Sequence, residues 1–142
     1  MKKILFSLFL MIPLCICMPS YAQPDPASPW PMFQHDARHT GRSHYMGPSG
    51  PVICWSYFTG DNIDSSPSLN GQGCVYIGSG NNLYALNSDG SVRWVFLTDW
   101  YIYSCPAISS AGDIYFGSVD NLLYAVKSNG MFGCRYRSEV IS

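Results

Sequence analysis

From residue 65 onward the chain runs in short stretches rich in apolar residues, separated by links that contain Gly, Asn, Asp or Ser. Short apolar runs bounded by turn residues are the pattern of strands. The pattern predicts strands over 65–70, 74–79, 83–87 and 92–98. It predicts three more over 104–109, 113–118 and 122–127. These stretches are rich in Val, Ile, Tyr, Phe and Trp, the residues that suit a pleated, half-buried surface. The links are short. Asp89-Gly90 and Asn129-Gly130 fit the two-residue hairpin turn, which needs positive φ at both central positions. No window carries useful helical periodicity.

The chain also repeats itself. Trp55 aligns with Trp94 at an offset of 39 residues. In that register Thr59 meets Thr98, Ser65 meets Ser104, Pro67 meets Pro106 and Tyr76 meets Tyr115. Gly78-Ser79 meets Gly117-Ser118, and Asn82-Leu83 meets Asn121-Leu122. One inserted residue then moves the offset to 40, where Tyr84-Ala85 meets Tyr124-Ala125 and Gly90 meets Gly130. The copies run over about 55–93 and 94–133, with a partial third over 134–142. In the third copy Cys134 replaces the Trp, and Arg135 and Arg137 stand where apolar residues are expected.

Four hairpin-linked strands in about 40 residues is the size of one β-propeller blade. A lone blade buries one face and is stable when it packs on the next. Small Gly-Ser pairs allow close approach between blades, and the recurring Trp suits an apolar anchor between them. The expected fold is therefore all-β: four-stranded antiparallel blades in an incomplete ring of two blades plus part of a third. A ring needs roughly four to eight. The chain is expected to be a fragment of a longer frame. The alternatives are a complete chain that assembles in several copies and a decayed remnant.

The repeat resembles the PQQ-like (pyrroloquinoline quinone) β-propeller repeats. The resembling pieces are 55–60, Ser65-Ser66-Pro67, Val75-Tyr76-Ile77-Gly78-Ser79 and Leu83-Tyr84-Ala85-Leu86. Their second copies are Trp94, Ser104-Cys105-Pro106, Ile114-Tyr115-Phe116-Gly117-Ser118 and Leu123-Tyr124-Ala125-Val126. The segments 30–36 and 40–43 look like the opening stretch of exported proteins in that group. Trp55, Trp94, Gly78, Gly117, Tyr84 and Tyr124 are the structural repeat residues. The group spans quinone dehydrogenases, assembly-scaffold lipoproteins and many other exported proteins, so fold alone does not choose a function. The enzymes carry a longer turn before the docking Trp, a vicinal Cys pair and a calcium-bound quinone with a catalytic Asp. Here the turn is shortened to 87–94, no cysteines are adjacent, and nothing marks a catalytic Asp.

The N-terminus changes the address. Lys2 and Lys3 precede an apolar run over 4–18, and Ser20-Tyr21-Ala22 places small residues at the −3 and −1 positions. This is the pattern of a secretory signal peptide over 1–22, cut before Gln23. A membrane anchor is the competing reading, but the run is short and contains Pro13. Lipidation at Cys15 or Cys17 is a second alternative, disfavoured by bulky Leu14 and Ile16 before them. A Pro-, Gly- and His-rich leader follows over 23–51, and the repeats occupy 52–142.

Composition narrows the partners. Of 142 residues 47% are hydrophobic and 15% aromatic, while only 12% are charged, which excludes wholesale disorder. Formal net charge is −1. Without Lys2 and Lys3 it becomes about −3, so nucleic acid is not an expected partner. Beyond the signal segment no stretch would span a membrane.

Candidate chemistry is sparse. Trp100, Tyr101 and Tyr103 form an aromatic patch in the loop between copies, and loops of this kind carry binding in propellers. Interblade core is the alternative. His35, His39 and His44, with Asp36 among them, would bind a metal on a helix, which the local Pro and Gly disfavour. A polar loop packed on the first blade is the simpler reading. Asp61, Asn62 and Asp64 fall short of a calcium loop, as does Asn87-Ser88-Asp89-Gly90. Turn chemistry explains both. Cys54, Cys74, Cys105 and Cys134 lie too far apart for a zinc site. Export makes disulfides possible, and buried thiols are equally open. The serines recur with the repeat, so no nucleophile site emerges.

The expected function is a non-catalytic exported binding scaffold with no cofactor and no metal. Its partner, protein or small molecule, is unspecified. One alternative is the N-terminal part of a quinoprotein oxidoreductase using pyrroloquinoline quinone and calcium. The other is part of an outer-membrane assembly scaffold.

Overall fold

The computed structural model describes residues 27–43 and 49–137. The expected signal peptide, His44 and the last five residues of the expected partial third copy lie outside the described residues.

Eight strands form two antiparallel sheets, each with its strands in chain order. The first sheet holds β1 (Ser68–Leu69), β2 (Val75–Ser79), β3 (Asn82–Leu86) and β4 (Val92–Leu97). The second holds β5 (Ala107–Ile108), β6 (Ile114–Gly117), β7 (Leu122–Val126) and β8 (Phe132–Arg137). Each has a bulge at the same place, between Ala85 and Leu86 and between Ala125 and Val126. The described residues contain no helix. These are β-propeller blades, two of an incomplete ring.

Three features differ from the sequence pattern. β1 and β5 are much shorter than expected. Pro67 and Pro106 carry no N–H for a ladder. A side chain replaces the ladder there. Ser65 Oγ accepts from Gly78 N (2.8 Å) and donates to Gly78 O (3.1 Å). Ser104 does the same with Gly117 (2.8 and 2.9 Å). Second, the inserted residue falls in the β6–β7 turn. Leu123 pairs with Gly117 as Leu83 pairs with Gly78, so Leu123 is the counterpart of Leu83. Asn121 takes φ +67° to close that turn. Third, Cys134, Arg135 and Arg137 lie on β8, the last strand of the second sheet. Sheets and sequence copies are offset by one strand, because Trp94 sits on the outer strand of the first blade and docks on the second. All six β8 residues are exposed, so its arginines meet water.

The core lies between the sheets. Tyr76, Leu83 and Ala85 of the first face Ile114, Phe116, Tyr124 and Val126 of the second. Trp94 and Phe96 of β4 pack on this cluster. The Trp94 indole N–H donates to Ser128 O (3.0 Å). Gly130 lies under the ring, where a Cβ would come within 2.7 Å of Trp94 Cγ. Trp55 repeats this one copy earlier, donating to Ser88 O (2.9 Å) over Gly90. The leader crosses one end of both sheets. Leu69 N donates to Trp30 O (2.7 Å) and Ile108 N to Pro31 O (2.9 Å).

Candidate functional site

The loop between β4 and β5 carries the aromatic patch, and backbone hydrogen bonds hold it in place. Thr98 Oγ1 donates to Trp100 O (2.6 Å) and to Asn81 O (2.9 Å). Ser118 Oγ donates to Trp100 O (3.1 Å). Val119 N donates to Tyr101 O (2.9 Å), and Ile102 N donates to Gly80 O (2.8 Å). The loop is thus tied to both sheets by its own carbonyls and amides.

Its side chains divide between core and water. Ile102 points inward and is 1% exposed, against Gly78, where a Cβ would lie 2.7 Å from Ile102 Cγ2. Trp100, Tyr101 and Tyr103 point out and are exposed. Tyr101 and Tyr103 stack with centroids 6.0 Å apart and planes within 3°, and Trp100 meets Tyr101 edge-on at 6.3 Å. Three large rings, already ordered and facing water, suit contact with an amphipathic surface. Sequence reasoning found the rings but not Ile102, whose sole signal was its match to Ile63.

The repeat residues have structural surroundings. Tyr84 is buried and its hydroxyl donates to Thr59 O (2.9 Å). Tyr124 is buried and donates to Asp120 Oδ2 (2.7 Å). Burial, then the Asp120 carboxylate, pushes the Tyr124 phenol up to about 12.

The leader histidines sit in turns. Gln34, His35 and His39 all adopt positive φ. Asp36 organises the segment by accepting from Thr40 Oγ1 (2.8 Å) and from the amides of Arg38 and Thr40. The Thr40 hydroxyl is the main reason its carboxyl is pushed down to about 2. His35 lies against the Trp30 ring and 3.5 Å from Asp36 Oδ2. Among the described residues, no three His, Cys, Asp or Glu side chains come together to hold a metal ion. No disulfide links Cys54, Cys74, Cys105 and Cys134. Cys74 is buried and accepts from Arg93 Nη1 (3.2 Å), and burial pushes the Cys105 thiol up. One apolar cavity of about 620 Å³ lies between leader and first sheet, lined by Pro29, Trp30, Phe33, Gln34, Pro67 and Leu69. No helix among the described residues is long and apolar enough to cross a membrane.

Two propeller blades joined by an aromatic loop define the class: a β-propeller repeat protein. The chain is similar to a solved propeller, BamB from Moraxella catarrhalis, with a TM-score of 0.59 at 22% identity. That match covers 66% of this chain and 29% of the other, so this chain spans under a third of that protein. No family model matches the chain, and no curated protein matches it.

Proposed function

We propose that the chain is part of an exported, non-catalytic propeller scaffold that binds a protein partner through the loop at 99–103. The carrying observation is the ordered, water-facing triad of Trp100, Tyr101 and Tyr103. Aromatic anchors of fixed geometry lose little freedom on binding and dominate interface energies. The low net charge offers no long-range steering, so recognition rests on shape and apolar contact. The likeness to BamB supports the propeller scaffold, and export rests on the signal-like segment over 1–22.

Two measurements test this reading. A photoreactive phenylalanine analogue at position 103 gives a discrete cross-linked protein in the cell, and one at position 110, exposed in the β5–β6 turn, does not. Equal labelling at both, or none at 103, overturns the binding loop. With the analogue moved to position 101, Trp100→Ala and Tyr103→Ala each abolish the cross-link while the unfolding free energy changes by less than about 0.5 kcal/mol, as exposed sites allow. Export predicts a mature product whose N-terminal sequencing begins at Gln23, and retention of residues 1–22 refutes it.

A further inference from the structure

At the end of the sheets away from the 99–103 loop, turns of both blades enclose a cleft of about 500 Å³. Asn70, Tyr76 and Arg93 of the first blade line it, with Ile108, Ala111 and Ser128 of the second. Its size suits a small organic ligand rather than a bare ion. Among the described residues that line it, Arg93 carries the charge and none is a carboxylate.

The polar groups of the first-blade wall are fixed in direction. Asn70 Oδ1 accepts from the amides of Gln72 (3.0 Å) and Cys74 (2.9 Å), which turns its Nδ2 toward Tyr76. Nδ2 donates to the Tyr76 oxygen (3.3 Å). The Tyr76 O–H is left to donate elsewhere, and no acceptor for it stands among the described residues. Tyr76 is 1% exposed, and burial pushes its phenol up, so the proton stays on the oxygen at neutral pH. A buried donor without an acceptor is costly. Arg93 is the extra residue of the β3–β4 bulge: Leu86 pairs with Val92 and Ala85 with Trp94, so Arg93 has no partner across the ladder. A bulge re-aims the side chain it carries. Here the guanidinium reaches Cys74, with Nη1 donating to Sγ (3.2 Å). That contact uses one of its five N–H groups.

This set of groups occurs once. The second sheet has the same bulge with Gly133 in it, and Ser109 and Asp113 stand where Asn70 and Cys74 stand. Asp113 is paired there with Lys127 Nζ (2.9 Å). The blade scaffold therefore does not require Asn70, the Tyr76 hydroxyl and Arg93 together.

We propose that this cleft binds a small organic carboxylate. Its oxygens accept from the Tyr76 hydroxyl and the Arg93 guanidinium, and its apolar body lies on Ile108 and Ala111. An acceptor-only anion satisfies both donors, whereas a cation satisfies neither. The planar guanidinium matches a planar carboxylate.

The test is calorimetric titration of the full chain with benzoate as the probe, beside benzamide and inorganic phosphate. Benzoate is expected to bind. Benzamide, the same ring without the charge, binds at least about tenfold more weakly. Tyr76→Phe deletes one hydroxyl, and Arg93→Gln deletes one charge at an exposed site. Each weakens benzoate at least about tenfold. Lys127→Gln removes a cation from the neighbouring turn and leaves the affinity unchanged. Because Tyr76→Phe can disturb the core, the parent chain supplies a check that needs no variant. Benzoate shifts the NMR signals of the Tyr76 ring and the Arg93 side chain, and leaves those of Trp100 and Tyr103 in place. No binding up to about 10 mM benzoate, or no shift at Tyr76 and Arg93, overturns the proposal. So does equal binding of benzamide, or a loss in Lys127→Gln as large as in Arg93→Gln. Phosphate binding as tightly as benzoate also overturns it, by making any anion sufficient.

Discussion

At Gly130 the backbone takes φ +83°, and an added Cβ would lie 2.7 Å from Trp94 Cγ. Both the conformation and the close approach require glycine there. Gly130→Ala is expected to destabilise the chain by about 1–3 kcal/mol in urea unfolding, and a change below about 0.5 kcal/mol would refute the docking geometry. Tyr124 is a second residue-scale test. Its phenol holds its proton to about 12, against an ordinary value of 10.0. The folded state therefore binds that proton more tightly than the unfolded chain. The resulting stability is present in full below pH 10 and is lost as pH climbs toward 12. Burial shifts Tyr76 and Tyr84 in the same direction. Unfolding midpoints should fall over that alkaline window. Tyr124→Phe should flatten part of the fall and cost about 1–3 kcal/mol at neutral pH, because the Asp120 bond is lost.

Equivalent glycines on equivalent strands have different neighbours. Gly78 is the last residue but one of β2 and lies under Ile102, where a Cβ would come within 2.7 Å of Cγ2. Gly117 ends β6, and its nearest Cβ contact would be 3.8 Å, to Ser104 Oγ. Gly78→Ala should therefore cost about 1–3 kcal/mol, while Gly117→Ala stays within about 1 kcal/mol of the parent in either direction. Similar losses at both sites would show that the cost arises within a strand rather than between blades. The same contrast explains what was legible in the sequence. Short apolar runs, turn residues and the Trp-to-Trp spacing were enough for seven of the eight strands, because these signals are local. The length of β1 was not legible, since Ser65 and Pro67 replace ladder bonds by a contact to Gly78 across the hairpin. Nor was the placement of Cys134 on a regular β8, because the repeat is read from Trp while the sheet is counted from Ser68. The aromatic triad of the candidate site was legible as composition. Its order depends on the Thr98, Ser118 and Val119 contacts that only the folded pair of blades supplies.

In the whole molecule, burial comes from neighbouring sheets. Leu83 and Leu123 occupy the same register position, opposite Gly78 and Gly117. Leu83 faces the second sheet and is 0% exposed, while Leu123 faces away from the first and is 50% exposed. Leu123 shares that outward face with Tyr136 of β8, which is also exposed. The chemistry of the two faces is alike, and only one of them is covered. Leu83→Ala removes fully packed methyl groups and leaves a cavity, so it should cost about 2–5 kcal/mol. Leu123→Ala removes side-chain surface that already meets water, so it should cost under about 1 kcal/mol. Urea unfolding of the two variants beside the parent decides the matter. Equal losses would mean that each sheet is stabilised by itself and that the inter-sheet core is secondary. A large difference would mean that blade-on-blade contact carries the stability. Covering the outward face with a further blade of this repeat should then raise the Leu123→Ala loss toward that of Leu83→Ala, because the same leucine would acquire the same kind of neighbour.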